Sequence, residues 1–397
     1  MKLVTASLYI HVPFCKKKCD YCDFYSVPEG DWAGGGLLDR FVDALRADIG
    51  GQLAGFRVSE PASVYIGGGT PSLLGPGRLK TLLEFLEAAG GRPLNGEFTV
   101  EANPESVDEA FLRACLEGGV TRISCGVQSF NKEARRAAGR RGGIERLGAA
   151  LALLGEAYGG AFSADLISGL PGAGESVLLR DIETLLRYGP AQVSLYDLSV
   201  EENTPLYRNV AASKLSLPQA DEAARIWIAG RDFLEAAGYP QYEVSAFAPE
   251  GKRSAHNIVY WRMGNWLGAG PSASGTLIRD GGGGEARGLR RTVAADLRGY
   301  LSEDGPEVLV EELDRDTLIR ESFLMGFRYI EGPDTALFQK RFGCPIESLA
   351  GETFSRWREH GKMRDGLCAL NREGLLMLNK FLTECFIDID RSAPRRG

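Results

Sequence analysis

Cys15, Cys19 and Cys22 lie close together near the N-terminus, in Tyr9-Ile-His-Val-Pro-Phe-Cys15-Lys-Lys-Lys-Cys19-Asp-Tyr-Cys22-Asp-Phe24. Three residues separate the first pair and two the second, so one short loop can wrap three thiolates around an iron–sulfur cube. A [4Fe–4S] cluster held by three cysteines leaves one iron open for a substrate or cosubstrate. Zinc is the rival metal. A structural zinc site usually takes four protein ligands, often from paired C-x2-C knuckles, and no second knuckle follows Cys22. The other cysteines, Cys115, Cys125, Cys344, Cys368 and Cys385, are scattered and read as small buried residues.

Further polar groups stand at the ends of apolar runs. Gly67-Gly68-Gly69-Thr70-Pro71 follows one such run, and a glycine string there lets the backbone come close to a ligand. Glu101 ends Phe98-Thr-Val-Glu101, Gln128 follows Ser124-Cys-Gly-Val, and Asp165 sits in Ser163-Ala-Asp165-Leu-Ile. Left unpaired, a buried polar group costs about 1–3 kcal/mol. A shared polar ligand accounts for three of them at successive tips better than three separate structural bonds do. Arg140 is a further candidate, although a lone arginine is more often solvated surface. His256, in His256-Asn257-Ile-Val-Tyr260-Trp261, has an imidazole able to ligate haem iron beside two flat aromatic faces. On spacing alone it reads as a packed or hydrogen-bonded histidine. The two remaining histidines, His11 beside the cysteine loop and His360 in a charged stretch, lack that setting.

The elements that must position these groups alternate. Strands are expected over Leu8–His11, Ser63–Ile66, Glu97–Glu101, Arg122–Cys125, Ser163–Ile167 and Gln192–Tyr196. Helices are expected between them over Leu37–Ile49, Gly77–Ala89, Asp108–Glu117, Ile144–Ala157 and Glu175–Tyr188. Such alternation predicts an α/β fold with a parallel sheet and right-handed crossovers. Six repeats fall short of the eight of a closed barrel, so the expectation is a partial (β/α)6 barrel with its chemistry at the C-terminal strand ends. Beyond residue 200 the pattern predicts a helix near Gln219–Ala237 and a loop or hairpin tip at Asp280-Gly-Gly-Gly-Gly. Helices follow over Val293–Leu301, Asp314–Arg328, Asp334–Phe342 and Ile346–Glu359, then a short hairpin over Cys368–Asn379 and a frayed tail from Asp390. The division expected is a core over 1–200, a core extension over 201–289 and a mainly helical, winged-helix-like domain over 290–397.

With 397 residues, 44% of them hydrophobic and 25% charged, the chain has an ordinary globular composition. Its formal net charge of −7 argues against general nucleic-acid binding. No apolar run is long enough to span a bilayer, no signal peptide is recognisable, and reduced thiols fit the cytoplasm.

The spacing C-x3-C-x2-C resembles the signature of the radical S-adenosylmethionine (radical SAM) superfamily. With YIGGGTPS, FTVEANPES, ISCGVQSF and ADLISGLPG, the chain is similar to its HemN/HemW branch over nearly its whole length. The resemblance implies a [4Fe–4S] cluster on Cys15, Cys19 and Cys22 only. The open iron holds S-adenosylmethionine, whose sulfonium is cleaved by one electron to a 5′-deoxyadenosyl radical. It places the cosubstrate contacts on Tyr9, Gly68, Gly69, Thr70, Glu101, Gln128, Arg140 and Asp165. Tyr21 falls on the adenine side, and Ser199 is a weaker member of the set.

Two functions divide the branch. Oxygen-independent coproporphyrinogen III oxidases carry a fourth cysteine two residues after the third, where Phe24 stands here, and a long segment before the cluster loop, where only fourteen residues precede Cys15. The haem-chaperone side carries an H-N-x-x-Y-W motif, matched by His256, Asn257, Tyr260 and Trp261. The resemblance therefore implies haem binding, acceptor haemoproteins, whether membrane-bound or not, as partners and a flavodoxin or ferredoxin as electron donor. Decarboxylation of coproporphyrinogen III is the alternative. Three positions, Ala246, Ser274 and Arg141, depart from the branch's usual asparagine, histidine and histidine.

Overall fold

The computed structural model describes residues 5–32, 34, 36–58, 60–93, 95–140, 142–281 and 284–392. Arg141, part of the glycine-rich loop after Asp280 and the last five residues lie outside them. An eleven-stranded sheet forms its frame. In chain order the strands are β1 (Ser7–Val12), β2 (Ser63–Gly68), β3 (Glu97–Ala102), β4 (Arg122–Gln128), β5 (Phe162–Ser168), β6 (Gln192–Asp197), β7 (Ala246–Phe247), β8 (Trp266–Ala269), β9 (Ser274–Arg279), β10 (Arg287–Val293) and β11 (Val308–Leu313). Strands β1 to β6 pair in sequence, all parallel. β1 takes β8 as its other parallel neighbour, and β9, β10 and β11 continue that edge antiparallel. The antiparallel β7 ends the far edge. The six-stranded parallel core is thus an open partial barrel.

The crossovers carry α1 (Leu37–Phe56), α2 (Gly75–Ala88), α3 (Glu109–Glu117), α4 (Lys132–Ala137), α5 (Ile144–Tyr158) and α6 (Glu175–Leu186). They are followed by α7 (Pro205–Ala211), α8 (Ala220–Ala236) and α9 (Ala255–Trp261). The period of two in each strand sorts its residues. Leu8, Ile10, Val12, Val64, Ile66, Phe98, Val100, Ile123, Leu166, Val193 and Leu195 join the helices in one apolar core. The alternate positions are polar and meet inside the barrel: Ser7 bonds Ser63 at 2.8 Å, and Tyr65 bonds Glu101 at 2.6 Å. A polar inner face is unusual for a parallel sheet, whose strands ordinarily read apolar throughout.

A second apolar cluster, built on Phe323, Phe327, Phe338, Phe354 and Phe381, organises the C-terminal helices. These are α11 (Arg315–Gly326), α12 (Thr335–Phe342), α13 (Gly351–Glu359), α14 (Arg372–Leu375) and α15 (Leu378–Ser392), whereas the short α10 (Leu297–Tyr300) before them packs into the first core through Leu297 and Tyr300. Three expectations need correction. The helix expected over Val293–Leu301 is reduced to α10, because Arg287–Val293 is claimed by strand pairing on both sides. That strand also crosses the expected division at residue 290, so the sheet runs on to Leu313. The wing-like hairpin over Cys368–Asn379 is helical: the Asn371 side chain accepts from the amides of Glu373 and Gly374 and starts α14. Only an isolated bridge, Met363 to Leu370, remains of strand pairing there. Among the described residues, no helix is long and apolar enough to cross a membrane.

Candidate functional site

At the C-terminal ends of the parallel strands lies a cavity of about 630 Å3. Cys15, Cys19 and Cys22 line it, together with Tyr21, Gly68, Gly69, Thr70, Glu101, Gln128, Arg140, Asp165 and Ser199. Twelve residues placed there by sequence reasoning thus come together. Tyr9 does not: it sits deeper in the barrel, its hydroxyl 2.9 Å from His11 Nδ1. The cysteine loop follows β1 and is pinned at several points. Phe14 is buried against Phe41 and Trp32, the Trp32 indole donates to the Cys15 carbonyl at 3.3 Å, and the Asp20 amide donates to Ala138 at 3.0 Å. Burial raises the Cys15 thiol pKa and pushes that of Cys22 up to about 11. Thiols held in this way ionise on meeting a metal, which releases their protons. Among the described residues no three His, Cys, Asp or Glu side chains converge as a single-ion site requires. Three thiols lining one cavity suit a cluster.

The backbone after β2 explains its glycines. Gly68 has φ +113°, a conformation L side chains rarely adopt, and a Cβ there would lie 2.7 Å from the His11 ring. A Cβ on Gly69 would lie 2.7 Å from the Phe14 carbonyl oxygen. Thr70 takes a hydrogen bond from Asn103 at 2.8 Å, and its hydroxyl is 3.7 Å from Cys15 Sγ. Arg140 donates to Asn103 at 2.6 Å, to the Gly126 carbonyl and toward Cys19 Sγ at 3.6 Å. Its Nε is buried without a partner, a donor left over at the cavity. Asn103, which joins Thr70 to Arg140, was missed as a site residue by sequence reasoning. Its position next to Pro104 at a strand end was the available signal. Arg140 is half-buried at the cavity rather than solvated surface.

Two carboxyls face the cavity. Glu101 accepts from the Tyr65 hydroxyl at 2.6 Å and from the Gly68 amide at 3.0 Å. Burial raises it to about 7, and the nearby Asp165 adds to the rise. Burial likewise raises Asp165 to about 6, against the Ser194 hydroxyl and the Arg140 charge. Gln128 holds a left-handed φ of 69° next to the irregular register between β4 and β5, which turns the strand end at the cavity. Such local strain gathers where a site needs a particular geometry.

The H-N-x-x-Y-W segment lies elsewhere. It forms α9 across the opposite, N-terminal ends of the strands. Ser254 caps it, and Glu97, the first residue of β3, accepts from the Ala255 amide at 3.0 Å and the His256 amide at 3.3 Å. A carboxylate there complements the free amides of a helix start. His256 is 1% exposed. Its Nδ1 is 2.8 Å from the Ser63 hydroxyl and its Nε2 2.8 Å from the Tyr260 hydroxyl, so both ring nitrogens are engaged and neither faces an iron in this conformation. Trp261 packs beside Tyr242 and Tyr329 with its indole nitrogen buried and unpaired, and Asn257 is half-buried. Of the departing positions, Ala246 pairs with Ser194 on β6 and Ser274 bonds Thr292 at 3.1 Å.

Burial lowers the His256 pKa to about 3. Unfolded histidine titrates near pH ~6.5, so below that pH the unfolded chain binds a proton that the native chain refuses. The contribution to stability is complete above about pH 6.5 and falls by up to about 1.4 kcal/mol per pH unit as the solution is acidified below it. His256→Gln should flatten the acid limb of denaturant-unfolding stability between roughly pH 6 and 4 by that slope. An acid limb identical to that of the unsubstituted chain would contradict the buried placement.

The family profile of the radical SAM superfamily matches residues 9–185. The heme chaperone HemW of Escherichia coli (strain K12) is 36% identical over 83% of this chain and 84% of its own length. The heme chaperone HemW of Mycobacterium tuberculosis (strain H37Rv) is 38% identical over 94% of this chain and 91% of its own. This chain is a radical SAM protein of the HemN/HemW branch. Another relative is the bovine radical S-adenosyl methionine domain-containing protein 1, mitochondrial, 34% identical over 89% of this chain and 76% of its own length. The solved structure of coproporphyrinogen III oxidase (HemN) from Escherichia coli shares the fold, with a TM-score of 0.79 over 96% of this chain and 90% of its own, at 21% identity. Membership implies a [4Fe–4S] cluster and S-adenosylmethionine. The thiols, the glycine-lined backbone and the spare Arg140 donor of this radical SAM protein fit both groups.

Proposed function

We propose that this radical SAM protein is a cytoplasmic haem chaperone. Cys15, Cys19 and Cys22 hold one cluster. Gly68, Gly69, Thr70, Glu101, Gln128, Arg140 and Asp165 bind S-adenosylmethionine, with Tyr21 on its adenine side. Haem is the cargo, handed to acceptor haemoproteins, and a flavodoxin or ferredoxin supplies electrons. The observation that carries the reading is 36% and 38% identity to proteins named heme chaperone HemW over 83% and 94% of the chain. Phe24 supports it, standing 70% exposed at the cavity where the oxidases place a further cysteine.

When bound, the cluster and S-adenosylmethionine supply one-electron cleavage of the sulfonium. The chain's own residues bind and orient. Arg140 offers charge and a free N–H near the cluster loop, and Glu101 and Asp165 offer acceptors for ammonium and hydroxyl groups. The H-N-x-x-Y-W helix is the proposed haem contact. Its imidazole reaches iron only if α9 lifts from the barrel floor and gives up its bonds to Ser63 and Tyr260. A haem titration followed by absorption tests this. His256→Ala should shift or erase the haem band, and Trp261→Ala should weaken binding with a smaller spectral change. An unchanged spectrum in His256→Ala would remove the histidine as ligand.

A further inference from the structure

The polar interior of the barrel joins the floor helix to the cavity at the mouth. On the floor, His256 stacks on Tyr65 with ring centroids 5.1 Å apart and planes 28° apart, and Tyr260 meets the imidazole edge-on at 5.2 Å. Ser63, which holds Nδ1 of that imidazole, is itself bonded to Ser7. Tyr65 spans the distance upward, and its hydroxyl donates to Glu101 Oε1 at 2.6 Å. The other carboxyl oxygen takes the amide of Gly68, the residue at the glycine-lined wall. Tyr9 also stacks on Tyr65, at 6.3 Å and 28°. There is no slack around this column. A Cβ on Gly67 would lie 2.8 Å from the Tyr65 ring and 2.9 Å from the Glu101 carboxyl carbon. In so crowded an interior, a ring that shifts must carry its neighbours with it.

We propose that His256 is a positioning residue for the cavity: by stacking on Tyr65 it fixes the hydroxyl that aims Glu101 at bound S-adenosylmethionine, and so couples the H-N-x-x-Y-W helix on the floor to the cosubstrate site at the mouth. The inference rests on the family reading only for the identity of the ligand. Its consequence is reciprocal. Any event that draws His256 off the floor weakens cosubstrate binding, and bound cosubstrate holds the helix down by the same factor.

The test is calorimetric titration of S-adenosylmethionine into the full-length, anaerobically reconstituted protein across a range of pH. Tyr65→Phe keeps the ring and loses the bond to Glu101, and should raise Kd about three- to tenfold. His256→Ala should raise it by a similar factor, and His256→Gln, which restores a planar hydrogen-bonding group, should recover most of the loss. The pH profile separates positioning from bulk structure. The titratable groups facing Glu101 are Tyr9, Tyr65, Asp165 and Tyr196. The Tyr65 hydroxyl is the lowering influence among them, so losing or misplacing it raises the carboxyl's pKa. The low-pH limb of binding, where Glu101 protonates, should therefore move to higher pH in both Tyr65→Phe and His256→Ala. No binding by the unsubstituted protein would remove the reading of the cavity and the inference with it. Normal binding by that protein, with affinity and limb unchanged in both variants, would overturn the inference alone. A weakened Tyr65→Phe beside an unaltered His256→Ala would overturn the link to the floor.

Discussion

Cys19→Ala should hold almost no iron–sulfur cluster after anaerobic reconstitution. The brown absorption should fall to background while the fold persists. All three loop thiols face one cavity, Cys19 lies within reach of Arg140, and the other five cysteines lie outside the cavity lining. No substitute thiol is therefore positioned to complete the set. Cys15→Ala and Cys22→Ala should behave alike. The fold should survive because the loop is anchored by Phe14, Trp32 and its backbone bonds rather than by the thiols. A full iron complement in Cys19→Ala, measured by iron and sulfide analysis, would refute the three-cysteine assignment.

Gly68→Val should cost cosubstrate binding at least tenfold and leave the cluster in place. The backbone conformation at Gly68 is closed to a β-branched residue, and relieving that strain is worth about 1–3 kcal/mol. The new side chain also drives into the His11 ring and displaces the amide that donates to Glu101. Iron content together with calorimetry on the reconstituted variant separates the two effects. Unchanged affinity would reduce the glycine string to an ordinary turn.

These two residues were legible in the sequence because their chemistry is local. The cysteine spacing states its own purpose, and a glycine run after an apolar strand states where backbone must come close. β1 to β6 were legible for the same reason, each a short apolar run between helical patterns. The strands on the other edge were not. Arg287–Val293 carries three arginines and reads as no strand at all; it is one because β9 and β11 flank it, and Arg290 finds Glu321 at 2.8 Å. Cys368–Asn379 misled in the opposite direction, since its apolar alternation yields to the cap at Asn371. His256 shows the limit for site residues. Its motif names a chemistry and holds Tyr260, but the burial against Ser63 and Tyr65 is set by residues nearly two hundred positions away and leaves no mark on the motif itself. Tyr9 was drawn to the cavity by the family's pattern and lies below it, where it packs on Tyr65.

The central claim, haem carriage in place of porphyrinogen oxidation, meets its most direct test in one paired measurement. Anaerobically reconstituted protein is given haem and then an apo-haemoprotein acceptor, while a second portion is given coproporphyrinogen III with S-adenosylmethionine and a reductant. The account predicts near-stoichiometric haem binding, transfer of the haem absorption band to the acceptor and no decarboxylated product. Failure to bind haem, or conversion of coproporphyrinogen III at an ordinary enzyme rate, would contradict it.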